Sequence, residues 1–217
     1  MRFLRALPQS ATRNRLAGVV SLDYGSRRLS QVRVHLRSEK YARDLVTDSE
    51  GLYEVYDLPA STYRVSIDTP EGLRILFPIV ADGDMRRNIF SDLEAKSVEI
   101  RFDLSTTADI SFLLVEDNQI SGRVLDSNGN PLKDICVHLV PAGSDPSSAT
   151  SRSRVFDCSE PGGSYVLKDM PAGRYELVAD RNQRFVYYPG TLERTGSAIV
   201  SIGTGERKTG FDIRIPY

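Results

Sequence analysis

Gly51-Leu52-Tyr53-Glu54-Val55-Tyr56-Asp57-Leu58-Pro59-Ala60-Ser61-Thr62-Tyr63 returns without a gap as Gly163-Ser164-Tyr165-Val166-Leu167-Lys168-Asp169-Met170-Pro171-Ala172-Gly173-Arg174-Tyr175. Upstream, Leu29 to Leu36 (LSQVRVHL) matches Leu132 to Leu139 (LKDICVHL), and Leu16-Ala17-Gly18-Val19-Val20 matches Ile120-Ser121-Gly122-Arg123-Val124. Phe77-Pro78 falls on Tyr188-Pro189. Four blocks in one order read as two copies of a single domain.

Each copy reads as strands. Val32, Val34 and Leu36 in the first copy, and Ile135, Val137 and Leu139 in the second, alternate with polar or outward positions, the period of a strand with one buried face. Tyr53 with Val55, and Tyr63 with Val65 and Ile67, alternate likewise. Turn formers separate these runs: Asp48-Ser49-Glu50-Gly51, Asp126-Ser127-Asn128-Gly129-Asn130-Pro131 and Pro171-Ala172-Gly173. No segment holds a helical period over several turns, although Asp84–Lys96 has room for one short helical turn. Many short strands at regular spacing predict an all-β chain of two tandem antiparallel Greek-key β-sandwich domains. The expected organisation is a tail at 1–15, disordered or the start of a fragment, then domains at 16–116 and 117–217.

Composition narrows the function. The chain has 217 residues with Lys+Arg 28 against Asp+Glu 29, so no basic excess points to nucleic acid. No run reaches the ~18 apolar residues of a membrane span. Two histidines and two cysteines leave little for a zinc site. The first residues carry Arg2, Arg5, Arg13 and Arg15 without the apolar stretch of a signal peptide. The chain reads either as lacking an export signal or as the later part of a longer polypeptide.

The repeated pattern Gly-x-Tyr, then Leu/Met-Pro-Ala-Gly/Ser-x-Tyr, resembles the core of carboxypeptidase regulatory-like domains, which are transthyretin-like (prealbumin-like, Ig-like) β-sandwiches related to the B-type repeats of bacterial collagen adhesins. The resemblance covers about Leu16 to Tyr217 and is closer in the second copy, since Ser61 stands where the family has Gly. It implies a non-catalytic spacer or adhesion-type module of a bacterial secreted or envelope protein, extracellular or in the cell envelope. Alternatives are a carbohydrate-binding module and accessory domains of a larger peptidase. The resemblance names no cofactor, and it leaves the partner, protein or glycan, and the oligomeric state open. Transthyretin-like enzymes that hydrolyse 5-hydroxyisourate end in Tyr-Arg-Gly-Ser, whereas this chain ends Arg214-Ile215-Pro216-Tyr217. An adhesin-type isopeptide needs a lysine on the first strand, and neither Leu16–Asp23 nor Ile120–Asp126 has one; Asp212, on the last strand, lacks an evident lysine partner.

The motif residues Gly51, Tyr53, Pro59, Tyr63, Gly163, Tyr165, Pro171, Gly173 and Tyr175 read as architecture. Gly51 and Gly163 suit turns of positive φ, Pro59 and Pro171 fix sharp connections, and Tyr63 and Tyr175 suit tyrosine corners. No catalytic, cofactor-binding or metal-ligating set emerges. His35 and His138 align with each other and read as surface strand histidines without a carboxylate at ligand spacing. Asp126-Ser127-Asn128-Gly129-Asn130 carries oxygens at alternate positions, yet lacks the glutamate of a calcium loop and reads as a hairpin turn. Asp82-Gly83-Asp84 is a weaker candidate of the same kind. Cys136 and Cys158, both in the second copy, invite a disulfide across neighbouring strands, with two unpaired thiols as the alternative. Phe185, Tyr187 and Tyr188 are the candidate ligand contacts, as tyrosines able to stack on a sugar ring or, alternatively, as core packing.

Overall fold

The computed structural model describes residues 14–22, 26–82, 97–103, 106–145, 155–181 and 184–216. Residues 1–13, the span expected to hold a helical turn (Asp84–Lys96) and Gly83-Asp84 of the weaker oxygen-rich candidate lie wholly or almost wholly outside them. Two compact units divide the chain: one holds the described residues up to Pro70 with Arg74–Leu114, the other Glu71–Leu73 with the described residues from Val115 on.

The strands of the first unit are β1 (Arg15–Leu22), β2 (Arg27–Arg28), β3 (Arg33–Arg37), β4 (Ala42–Val46), β5 (Leu52–Tyr56), β6 (Ser61–Ile67), β7 (Leu73–Asp82), β8 (Ser97–Phe102) and β9 (Thr107–Glu116). They form one sheet in the order β2-β1-β9-β7, with β5 also on β1, and a second in the order β4-β3-β6-β8. The second unit has β10 (Gln119–Leu125), β11 (Cys136–Pro141), β12 (Phe156–Cys158), β13 (Ser164–Lys168), β14 (Gly173–Arg181), β15 (Arg184–Tyr187), a single 3-10 turn at Arg194–Gly196, β16 (Val200–Ile202), β17 (Arg207–Lys208) and β18 (Ile213–Arg214). Its sheets run β13-β10-β17, with β18 also on β10, and β12-β11-β14-β15, with β16 also on β14.

The period-2 patterns place one apolar row of each strand inside. Val34 and Leu36 of β3, Tyr53 and Val55 of β5, and Tyr63 and Val65 of β6 are buried, while their neighbours face outward. Tyr63 stands edge-on to Phe102 at 5.7 Å and to Tyr41 at 5.6 Å. In the second unit Ile120, Val124, Val137, Leu139, Tyr165, Leu177 and Ile213 share one core. Each fully buried aliphatic side chain contributes about 2 kcal/mol by its removal from water.

One expected boundary shifts. Asn14 and Arg15, assigned to the tail, belong to the fold: Arg15 opens β1, and buried Asn14 donates to the Leu58 carbonyl at 2.8 Å and accepts from the Thr106 N–H at 2.7 Å. Within these mainly antiparallel sheets, a few pairings are parallel. The first strand of each unit runs parallel to its last, β1 with β9 and β10 with β17 and β18. Parallel neighbours need a long connection, and here the rest of the unit supplies it.

Several framework hydrogen bonds recur in both units. Asn118 does what Asn14 does, donating to the Met170 carbonyl at 2.7 Å and accepting from the Glu206 N–H at 3.1 Å. Buried Thr47 accepts from the Val32 N–H and donates to the Leu29 carbonyl, and Ser159 does so with Ile135 and Leu132. Gly51 and Gly163 have φ of 69° and 77°, and their carbonyls accept from the Val20 and Val124 N–H groups. Asp57 and Asp169, ahead of the motif prolines, are both left-handed, a conformation aspartate tolerates better than most residues.

Candidate functional site

The motif tyrosines hold the architecture. Tyr63 donates its hydroxyl to the Pro59 carbonyl at 3.0 Å, and Tyr175 to Pro171 at 2.7 Å, so each proline turn is tied to the strand that follows it. Tyr165 donates to the Phe211 carbonyl at 2.6 Å, and Tyr53 to that of Ile110. Those carbonyls sit where the parallel ladder is interrupted, between Ala17↔Asp109 and Val20↔Phe112 in one unit and between Ile120↔Lys208 and Val124↔Ile213 in the other. The same carbonyls lie where a Cβ on Gly18 or Gly122 would be, so only glycine fits there. Burial pushes the Tyr53 and Tyr165 phenols far up, which keeps both as neutral donors. Gly173 opens β14 against the Tyr175 ring, 3.1 Å from where a side chain would begin.

Of the aromatic candidates, Tyr187 is buried, while Phe185 and Tyr188 are half-buried. Tyr187 is 8% exposed and belongs to a small apolar cluster with Val140 and Val178 on the outer face of the β11–β14–β15 sheet, with Phe185 packed against it. Tyr188 points to the other side and packs on the main core, its ring 5.4 Å from that of Phe211. A sugar ring needs an open aromatic face, which Tyr187 lacks. The segment after β15 supplies part of the cover. Glu176 of β14, 4% exposed, accepts from Arg194 Nε at 2.9 Å, Arg194 Nη2 at 2.6 Å and Ser197 Oγ at 2.8 Å. Burial pushes its carboxyl up, but these hydrogen bonds outweigh burial and hold it below the usual range.

The aligned histidines occupy one strand position and opposite environments. His35 Nδ1 is 3.0 Å from Asp44 Oδ1, and Nε2 is 2.8 Å from Asp68 Oδ1. Carboxylates only accept, so these two contacts favour a ring protonated on both nitrogens, and Arg37 Nη2, 3.2 Å from Nδ1, opposes that. Hydrogen bonds donated to Asp68 and Asp44 raise its pKa above the ordinary value. This corrects the expectation of a histidine without carboxylate neighbours. The acids come from other strands, Asp44 directly across the β3–β4 ladder and Asp68 just past β6. His138 lies instead across from Phe156, the rings stacked 5.4 Å apart. Burial lowers its pKa, Asp180 opposes that shift, and its Nδ1 is buried without a hydrogen-bond partner.

Cys136 and Cys158 stand opposite one another in the β11–β12 register and are joined as a disulfide. Asp126 binds the N–H groups of Asn128 and Asn130 at 2.8 Å each, so its carboxylate closes a turn and its oxygens face the loop's own amides. Asp212 accepts from the Arg123 N–H and from its guanidinium. Among the described residues no group of three His, Cys, Asp or Glu side chains is placed to hold a metal ion, and no helix is long and apolar enough to cross a membrane. A pocket of about 370 Å³ lies between β12 and β13, lined by Val155, Phe156, Asp157, Glu160, Val166 and Lys168. Asp157 closes part of it by accepting the Val166 N–H at 2.7 Å.

Asn14 and Asn118 were missed by the sequence reading, as were Thr47 and Ser159. The signal was present for the asparagines: each stands four residues before the glycine of the matched block, Gly18 or Gly122.

No family model and no curated protein matches the chain. Solved structures align with most of the chain at low identity. The Bacillus anthracis TIE protein is 13% identical, with a TM-score of 0.43 over 95% of this chain and 34% of its own. A streptococcal ancillary pilin is 13% identical with a TM-score of 0.36, over 95% of this chain and 64% of its own. The major pilin subunit of Bacillus cereus is 11% identical with a TM-score of 0.31, over 93% and 99%. The chain thus spans about a third of the first of these proteins and just under two thirds of the second.

Proposed function

We propose that the chain is a pair of tandem carboxypeptidase regulatory-like β-sandwiches, at about 16–116 and 117–217, acting as a non-catalytic spacer or interaction module of a secreted or envelope protein. The observation that carries this reading is the use made of the repeated motif. Tyr53, Tyr63, Tyr165 and Tyr175 all donate to backbone carbonyls, and Gly51 and Gly163 serve left-handed turns. What both copies preserve is the framework. What differs between them lies on the outer sheet faces, charged around His35 in one and covered around Tyr187 in the other. The Cys136–Cys158 disulfide supports export, because such bonds persist in oxidising compartments.

Two measurements test this. Alkylation of the chain taken directly from its producing cells should leave Cys136 and Cys158 unmodified until reductant is added. Thiols that alkylate at once would overturn the envelope assignment. The purified chain, offered peptide, glycoside and ester substrates, should turn none over; reproducible turnover lost on substituting a described side chain would overturn the non-catalytic reading.

A further inference from the structure

Strand β4 is the edge of its sheet, and its residues are largely exposed. Little apolar burial holds it, so its attachment depends on the β3 ladder and on side-chain bonds across the outer face. Those bonds converge on His35. Asp44 of β4 stands 3.0 Å from His35 Nδ1 and accepts from Arg37, whose Nη2 is itself 3.2 Å from that nitrogen, while His35 Nε2 reaches Asp68 beyond β6. Arg33 completes the row, 3.9 Å from Asp44 and 3.8 Å from Asp68. Of the other charges on this sheet, Arg64 of β6 is paired with Glu99 of β8 at 2.8 Å, and Arg101 with Asp103 at 3.2 Å. Because the arginines stay charged, His35 is the one titrating link between Asp44 and Asp68 among these groups.

We propose that His35 is a protonation-controlled clasp on the edge strand: as an imidazolium it ties β4, through Asp44, to the segment after β6, through Asp68, and on losing its proton it lets β4 loosen. A neutral ring has one N–H, so one of its nitrogens must then turn a lone pair toward a carboxylate. The direction follows from linkage. His35 has a higher pKa folded than unfolded, so its contribution is complete below about pH 6.5 and fades as pH rises through the higher folded value.

The second unit provides an internal comparison. The strand in the place of β4 is β12, and it carries Phe156 where β4 carries Asp44. His138 there is stacked rather than ion-paired, and the disulfide binds β12 to β11 covalently.

The test is amide hydrogen exchange by NMR on the full chain from pH 5.5 to 9, as protection factors corrected for intrinsic rates. Protection of β4 amides should fall roughly fivefold above pH 6.5, the scale expected of exposed ion pairs, while β12 stays level. In His35→Gln the β4 amides should sit at the weak level at every pH. Protection of β4 that is flat with pH, that falls in step with β12, or that keeps its pH dependence in His35→Gln would overturn the clasp. The wild-type imidazole resonance decides even if that variant misfolds: a His35 midpoint above 6.5 supports the proposal, and one at or below it overturns it.

Discussion

Gly18 and Gly122 show how much one missing side chain decides. Neither needs a left-handed backbone; each is required because a carbonyl of the last strand occupies the space of a Cβ. Gly122→Ala should therefore destabilise the second unit by about 3 kcal/mol, as overpacking against backbone does, readable as a drop in its denaturation midpoint. The tyrosines that meet those carbonyls, and the two at the proline turns, allow a finer test. Tyr175→Phe keeps the ring and removes one hydrogen bond to Pro171, and should cost about 1 kcal/mol. Tyr175→Ala also removes the ring and should cost about 3 kcal/mol or more in the same melt. A Tyr175→Ala midpoint equal to wild type would refute the corner. At this scale the sequence was readable wherever a residue recurs in both copies, as Tyr63 and Tyr175 do. It was opaque where function comes from a partner on another strand. Nothing near His35 in the chain announces Asp68, and nothing near Glu176 announces Arg194.

At the scale of elements, the edge strands differ in how they are fastened. The Cys136–Cys158 bond closes a sequence separation of 22 residues, which by chain entropy corresponds to about 3 kcal/mol. Replacing both cysteines by serine should lower the unfolding free energy of the second unit by about that amount, with no effect of reductant on the variant. The loop over Tyr187 depends on an ion pair instead. Arg194→Met would leave Glu176 buried without its main partner and should cost about 2–3 kcal/mol, the loss being smaller than for a fully buried pair because Arg194 is partly exposed. The Glu176 carboxyl has a depressed pKa, so its contribution is present above the unfolded carboxylate range, near 4.3, and lost as pH falls through the lower folded value. Strands such as β3 and β11 were legible because alternation is local. The parallel partnership of β1 with β9 was not, because no nearby turn joins them and only the closed fold brings them together.

At the scale of the whole molecule, each unit buries its own apolar side chains. Reductant should thus shift one unfolding transition and leave the other in place, a separation that calorimetry with and without dithiothreitol would show. The parallel ladders give each unit a further property. In a parallel pair the start of one strand and the end of the other lie at opposite ends of the ladder, so the polypeptide enters along β1 and departs from the far end of β9, and likewise along β10 and β18. Tension drawn through the chain would slide the two strands along one another, loading their hydrogen bonds together in shear instead of unzipping them singly. The carbonyls of Ile110 and Phe211, each held by a tyrosine hydroxyl, sit midway along the ladders that such a pull would load.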